Sequence, residues 1–401
     1  MFHIFGRKKV FYSLIIITVL IWLPGCWDSQ DLNKLAIVMG AAIDRYEEEY
    51  LVTVQANKTS SSSGGNGENG GQQGIFISSG QGKSVFDAAR NVTFGLHLRN
   101  YWPHTQAVII GEELARDSIL SVVDFFTRDP KRRLSVYFLV GEGLGKDILK
   151  NQPENAELSS MEIVELIELT RAHGFGVDAN LRGFIREMEG ISGASVLNKV
   201  KSVTVDMNKG ETNQDGGQKT STLDGVAVFY KYKLLGYLSP QETRSINFLK
   251  DSVGSWVIVT NFTGGTEGEI TSELTKSEIS FTPSITDGLY TMKAKLSLSG
   301  KIVEYIGEKP LSTIDIKKIE DKFASDIKKD IEETFLKVQK EYQVDIFNIG
   351  KTFSKKYPFV LDFDPEQWNK IFAENMQLDL EVEFKINYSE TRINRVGSLE
   401  G

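Results

Sequence analysis

MQLDLEVEFKINY, residues 376–388, puts Met376, Leu378, Leu380, Val382, Phe384, Ile386 and Tyr388 at every second position, with Gln377, Asp379, Glu381, Glu383, Lys385 and Asn387 between them. A strand turns successive side chains to opposite faces of its sheet, so this segment is predicted as a strand with one apolar and one polar face. Such one-sidedness points to an antiparallel sheet with one face in water. The apolar face needs a cover, and the stretch from Ser312 to Tyr342 offers one. Ile319, Phe323, Ile327, Ile331, Phe335, Val338 and Tyr342 recur there every three or four residues among Lys, Glu and Asp. The apolar steps are mostly four, which suits a helix laid on a sheet better than a coiled-coil heptad.

Upstream of that helix, Gly225–Tyr230, Leu234–Leu238, Ser255–Phe262, Glu269–Phe281 and Leu289–Tyr305 also read as strands. The C-terminal region is therefore predicted as a largely antiparallel sheet with one long packing helix. The polar run MNKGETNQDGGQKTST, residues 207–222, precedes it as a linker or loop. Before that run the pattern changes. Leu35–Ile43 reads as a buried strand and Tyr50–Asn57 as an alternating one, and Ile75–Ser79 resumes the sheet after residues 59–74. That Gly/Ser stretch holds no apolar residue with which to offset its ordering entropy, so it is expected to be a mobile loop. Helices and strands then alternate. Ser84 with Asp87 opens a helix faced by Val85, Ala89, Val92 and Leu96, and Thr105–Ile110 is a strand. Ile119, Val122, Val123 and Phe126 mark a helix, Leu134–Val140 a strand, and Ser159 and Asn180 each open a further helix. The fold class expected is α+β and multidomain: a mixed α/β N-terminal region at 26–206, a largely antiparallel C-terminal region at 223–390, and a tail at 391–401.

The first 25 residues stand apart. Arg7, Lys8 and Lys9 precede an apolar run from Val10 to Leu23, followed by Pro24, Gly25 and Cys26. A basic segment, a short apolar core and a small residue before the cut describe a secretory signal peptide at 1–25; the run is too short for a membrane span. Cys26 is the single cysteine of the 401 residues. No internal disulfide or four-cysteine zinc site is possible. Placed directly after the cut, its thiol is a nucleophile for a lipid donor, and LPGC at residues 23–26 resembles a lipobox. Two or three acyl chains would hold the chain on a membrane that its charge would otherwise repel. Loss of Arg7, Lys8 and Lys9 takes the formal charge from −8 to −11, which also argues against nucleic acid as a partner. Trp27 would then sit at headgroup level.

Motifs for chemistry are missing. VGEGLGKD, residues 140–147, follows a strand, but Val140 and Asp147 break the Walker pattern and Lys146 breaks the dinucleotide one, leaving a glycine-rich turn. His97, His104 and His173 stand in no metal-binding spacing, and His104 reads as structural rather than as a base. Glu187 and Glu189 read as residues of a solvated helix face, and no nucleophile elbow is present. Trp256 and Trp368 read as core. No catalytic, metal or cofactor site is expected.

Several stretches together resemble one family, the Ger(x)C spore germination lipoproteins, C subunits of nutrient germinant receptors. They are GCWDSQDLNKLAIVMGAAID (25–44), SVFDAARNV (84–92), HTQAVIIGEELARDSI (104–119), LDGVAVFYKYKLLGYLSPQETRSINFL (223–249) and YQVDIFNIGKTFSKKYP (342–358) followed by Trp368. Pro24 and Asn348-Ile349-Gly350 depart from the pattern. The resemblance implies a multidomain, non-enzymatic chain carrying diacylglyceryl on Cys26 at the outer face of the cytoplasmic membrane, the spore inner membrane. It also implies integral membrane A-type and B-type subunits as partners and no direct small-molecule ligand. The alternative is a substrate-binding lipoprotein of an importer, which would need two α/β lobes around a cleft.

Overall fold

The computed structural model describes residues 34–58, 75–153, 156–205, 218–252, 254–262, 268–307, 311–358 and 364–387. The signal segment, Cys26 and Trp27, the Gly/Ser stretch at 59–74, residues 206–217 and the tail at 391–401 lie outside them. The first part of the chain runs β1 (Leu35–Tyr46), β2 (Glu49–Lys58), β3 (Ile75–Gly82), α1 (Val85–Leu96), β4 (Arg99–Tyr101), β5 (Ala107–Gly111), α2 (Glu112–Asp117), α3 (Leu120–Arg128) and β6 (Tyr137–Gly141). It continues with α4 (Gly145–Leu149), α5 (Ser159–Ala172), α6 (Leu181–Met188), β7 (Ala194–Val205), β8 (Gln218–Tyr230) and β9 (Lys233–Leu238). Nine strands form one sheet in the order β3-β2-β1-β5-β6-β7-β8-β9, with β4 beside β1. The centre, β1-β5-β6-β7, is parallel, and the flanking pairs are antiparallel.

A parallel centre needs cover on both faces, and the alternation in β5 shows how it is met. Val108 and Ile110 join one core with Val85, Val92, Val122 and Phe126 of α1 and α3, while Ala107 and Ile109 join another with Ile148, Ile163 and Ile167 of α4 and α5. All five residues of β5 are buried. Ser84 caps α1 by accepting from the Asp87 backbone N–H (3.1 Å), as its sequence predicts.

The rest of the chain adds α7 (Pro240–Leu249), β10 (Val257–Phe262), β11 (Gly268–Thr286), β12 (Leu289–Gly307) and α8 (Thr313–Lys337), which runs on into a π-helical turn at Val338–Tyr342. It ends with α9 (Ile349–Lys356), α10 (Pro365–Asn375) and β13 (Met376–Ile386). β10, β11, β12 and β13 make a four-stranded sheet in that order. Ile319, Phe323, Ile327, Ile331, Phe335 and Val338 are all buried, and Phe323 stacks on Phe384 of β13 with ring centroids 4.9 Å apart. The molecule is mixed α and β and multidomain, with the long helix on the C-terminal sheet.

Two expectations need correction. β13 runs parallel to β12, with Tyr290 opposite Met376 through to Gly300 opposite Ile386. Its alternating burial is as predicted, but period-two patterning reports a face and says nothing of direction. The crossover through α8, α9 and α10 is the long connection that a parallel neighbour requires. Residues 218–222 of the polar run at 207–222 already belong to β8, which pairs with its chain neighbour β7 from Ala194↔Tyr230 to Val205↔Gln218. β8 and β9, grouped by sequence with the C-terminal region, thus complete the N-terminal sheet.

Candidate functional site

Cys26, the residue to which the sequence assigns a role, lies outside the described residues. Among the sequence motifs inside them, VGEGLGKD forms the turn from β6 into α4, with Gly143 at φ +72°. The N-terminus of α4 is already occupied by a carboxylate of the protein itself. Asp44, at the end of β1, accepts from the backbone N–H of Gly145 (2.6 Å) and of Lys146 (3.0 Å). Burial pushes the Asp44 pKa up to about 6, against the pull of those two donors. A phosphate would have to displace this side chain.

His104 is exposed with its ring 5.7 Å from that of Tyr101, and His97 and His173 end α1 and α5. Among the described residues no group of three or more His, Cys, Asp or Glu could hold a metal ion. Trp256 and Trp368 are fully buried, as expected.

Polar side chains converge instead where the two regions meet. Glu187, near the end of α6, accepts from Ser195 Oγ of β7 (2.5 Å), from Lys250 Nζ at the end of α7 (3.0 Å to each oxygen) and from Asn348 Nδ2 just before α9 (2.9 Å). Burial opposes its charge, but Lys250, Ser195 and Asn348 outweigh burial and hold its pKa below the ordinary carboxylate value. The helix-face reading therefore holds for Glu189, which is exposed, and fails for Glu187. Helical spacing could not reveal this, because Lys250, which neutralises Glu187, and Asn348 come from distant sequence.

Two clefts flank this node. One of about 470 Å³ is lined by residues of both regions, among them Ser195, Lys250, Phe281 and Lys355. The other, about 270 Å³, lies beside Ile191, Asp345 and Gly350. Asp345 is completely buried. It accepts from the backbone N–H groups of Phe347 (3.0 Å), Ile349 (3.2 Å) and Gly350 (2.8 Å) and from the Trp368 indole (2.9 Å). Asn348 adopts the left-handed conformation (φ +61°) that Asn tolerates, and a Cβ on Gly350 would come within 2.7 Å of Trp368 Nε1. The Asn-Ile-Gly turn is thus fitted to its place. Asn369 then ties the regions together, donating from Nδ2 to the Ser192 carbonyl (2.7 Å) while its Oδ1 accepts from the Asp345 N–H (3.0 Å). Tyr342 donates to the Tyr237 carbonyl (2.7 Å), and Lys337 pairs with Glu242 (2.7 Å).

This arrangement holds two sheets in one relative position. The node's charges are mutually neutralised, so nothing in it is poised as a nucleophile or base. The sequence did carry one unread sign of the junction: Ser239-Pro240-Gln241-Glu242 is a capping box with proline at the first helical position, and both capping hydrogen bonds are present in α7.

Comparison with known proteins supplies what the geometry does not. The family model described as spore germination protein N-terminal domain matches residues 28–202, and the one described as spore germination B3/GerAC like, C-terminal, matches residues 224–390. The chain belongs to the Ger(x)C family of spore germination proteins. Among relatives of this Ger(x)C chain, spore germination protein KC of Bacillus subtilis (strain 168) is 26% identical over 407 residues, covering 97% of this chain and 98% of that protein. Spore germination protein B3 of the same organism is 24% identical over 381 residues, covering 93% and 96%. The crystal structure of the GerBC protein matches with a TM-score of 0.55 at 20% identity, covering 86% of this chain and 96% of that one, and so shares the fold. As a member of this non-catalytic family, the Ger(x)C chain is not an enzyme.

Proposed function

We propose that this chain is the lipid-anchored subunit of a nutrient germinant receptor, required for nutrient-triggered spore germination. Diacylglyceryl on Cys26 holds it at the outer face of the cytoplasmic membrane, where it assembles with integral membrane A-type and B-type subunits. The observation that carries the reading is the pair of Ger(x)C matches, at residues 28–202 and 224–390, the first beginning directly behind a cysteine at the end of a signal-like segment. Among the described residues no helix is long and apolar enough to cross a membrane. Acyl chains provide attachment without one.

The chain acts by docking on its membrane partners and stabilising one signalling state of the complex, and the Glu187 node is the joint through which its two regions keep a common orientation. Nutrient recognition then falls to the partners. Spores lacking this chain are expected to lose the drop in optical density after one nutrient class while still germinating with non-nutrient triggers. A Cys26→Ala chain is expected to leave the membrane fraction and reproduce that loss. Unchanged responses to amino acids, sugars and nucleosides in a strain without a second receptor would refute the proposal, as would micromolar binding of a nutrient by the purified chain alone.

A further inference from the structure

The end of the N-terminal sheet where β1 begins carries a surface of exposed aromatic rings and basic side chains on a chain that is acidic overall. Helix α1 presents Phe86, Arg90 and Phe94 at successive turns, and the two rings are 58% and 77% exposed. Beside them, Arg99 of β4 and Arg132 line a groove of about 660 Å³ whose apolar wall is Trp102 and Phe125. A smaller cavity of about 140 Å³ shares Arg99, Trp102 and Asp129 with that groove and extends to Lys131 and Leu35. Asp129 is the carboxylate on this lining and faces Arg132 at 3.8 Å. The neighbouring acids are engaged as well. Asp87 accepts from the Lys83 N–H at the start of α1, and Asp124 pairs with Arg128. Arg90, Arg99, Lys131 and Arg133 are exposed, and none has an ion-pair partner among the described residues.

The position of this patch identifies its partner. Leu35 opens β1 directly opposite Arg99, and eight residues, 27–34, separate Leu35 from Cys26. At about 3.6 Å per residue at full extension, that segment spans at most about 30 Å, so the patch belongs to the end of the body from which the anchor leaves. Exposed aromatic rings among unpaired cations are the composition of a surface that lies in a headgroup layer of anionic lipid. The remaining surface, in a chain of formal charge −8, has the opposite preference.

We propose that Phe86, Arg90, Phe94 and Arg99 form a second contact with the membrane, the rings entering the headgroup layer and the arginines meeting anionic lipid, so that the protein lies on this face instead of hanging from its anchor. The inference rests on the membrane location proposed above, and its test is built to work without acylation. A chain starting at residue 26 with Cys26→Ser, held on nickel-chelating lipid by an N-terminal hexahistidine tag, is attached whether or not Cys26 is lipidated in cells. Lipidation itself is read separately, from the mass of the chain recovered from membranes. A thiol-reactive fluorophore is placed at Phe94→Cys or, outside the patch, at Ile314→Cys on α8, which is 70% exposed. In vesicles of phosphatidylglycerol and phosphatidylcholine, brominated acyl chains are expected to quench the label at 94 and spare the one at 314. Reversing Arg90 and Arg99 to Glu, or using phosphatidylcholine alone, should lower the membrane-contacting population by at least about fivefold. Equal quenching at both positions, no quenching at 94, or quenching at 94 that ignores both changes would overturn the proposal. An unquenched label at 94 would leave the groove to a protein partner.

Discussion

Asp44 and Asp345 solve one problem in the two regions of the molecule by different means. Each is a fully buried carboxylate aimed at the first two N–H groups of a helix. Asp44 reaches α4 from β1, 101 residues earlier in the chain, and has those two donors alone among the described residues. Asp345 sits four residues before α9 and adds the Phe347 N–H and the Trp368 indole, making four. Yet burial raises the pKa of both. Hydrogen bonds offset part of the desolvation of a buried charge, and doubling their number does not cancel it. What the number of donors does set is the damage done when the carboxylate is removed.

That contrast can be tested from its strong end. Asp345→Ala leaves three backbone N–H groups and an indole without an acceptor, each worth about 1–3 kcal/mol when stranded. The expected loss in unfolding free energy is at least about 4 kcal/mol by denaturant titration. A loss below about 1 kcal/mol would show that the site refills with water and that donor number is irrelevant. Asp44→Asn tests the other end through pH. The folded pKa of about 6 exceeds the ordinary 3.8, so between these values the folded chain holds a proton that the unfolded chain has released. Stability from this group is therefore present below about pH 4 and declines as pH rises through 6, by about 3 kcal/mol in all. The variant should lose that slope in unfolding midpoints measured from pH 4 to 7. A retained slope would assign the titration to another group.

Glu187 lies between the two extremes. Its pKa is lowered, so its contribution is present above the ordinary 4.5 and is lost as acid takes the pH through the depressed folded value. At neutral pH Glu187→Gln should cost about 2 kcal/mol. That is less than for a fully buried pair, because the Glu187 and Lys250 side chains keep 18% and 13% of their exposure. A double-mutant cycle with Lys250→Met measures the coupling directly, and additive effects would dissolve the node. The smallest effect is expected on the wet face of the C-terminal sheet. There Lys295 pairs with Glu381 (3.1 Å) and Glu383 (2.8 Å) in the open. Lys295→Ala should leave the unfolding midpoint unchanged within error, and any shift should vanish in molar salt.

Legibility in the sequence followed the range of the interactions. The α8 stripe and the burial of alternate residues in β13 were readable because a helix or strand repeats its environment at a fixed period. Strand β7 was not predicted: ASVLNKVKSVTV interleaves Asn198, Lys199 and Lys201 with its apolar residues. Asn198 is nonetheless buried, bonding the Val177 N–H (2.9 Å) and carbonyl (2.8 Å). Tertiary partners erased the polarity that pattern reading relies on. Glu187 escaped for the same reason, since Lys250 and Asn348 lie 63 and 161 residues away.

By itself the sequence determined the family, the cysteine poised behind a signal-like segment, the absence of recognisable catalytic motifs, and which faces of the long helix and last strand would be buried. All of these are encoded in contiguous residues. The direction of β13, the sheet that takes β8 and β9, the carboxylate filling the α4 turn and the polar node joining the two regions were decided only by the tertiary structure. Each depends on which distant segments meet, and local periodicity carries no record of that meeting.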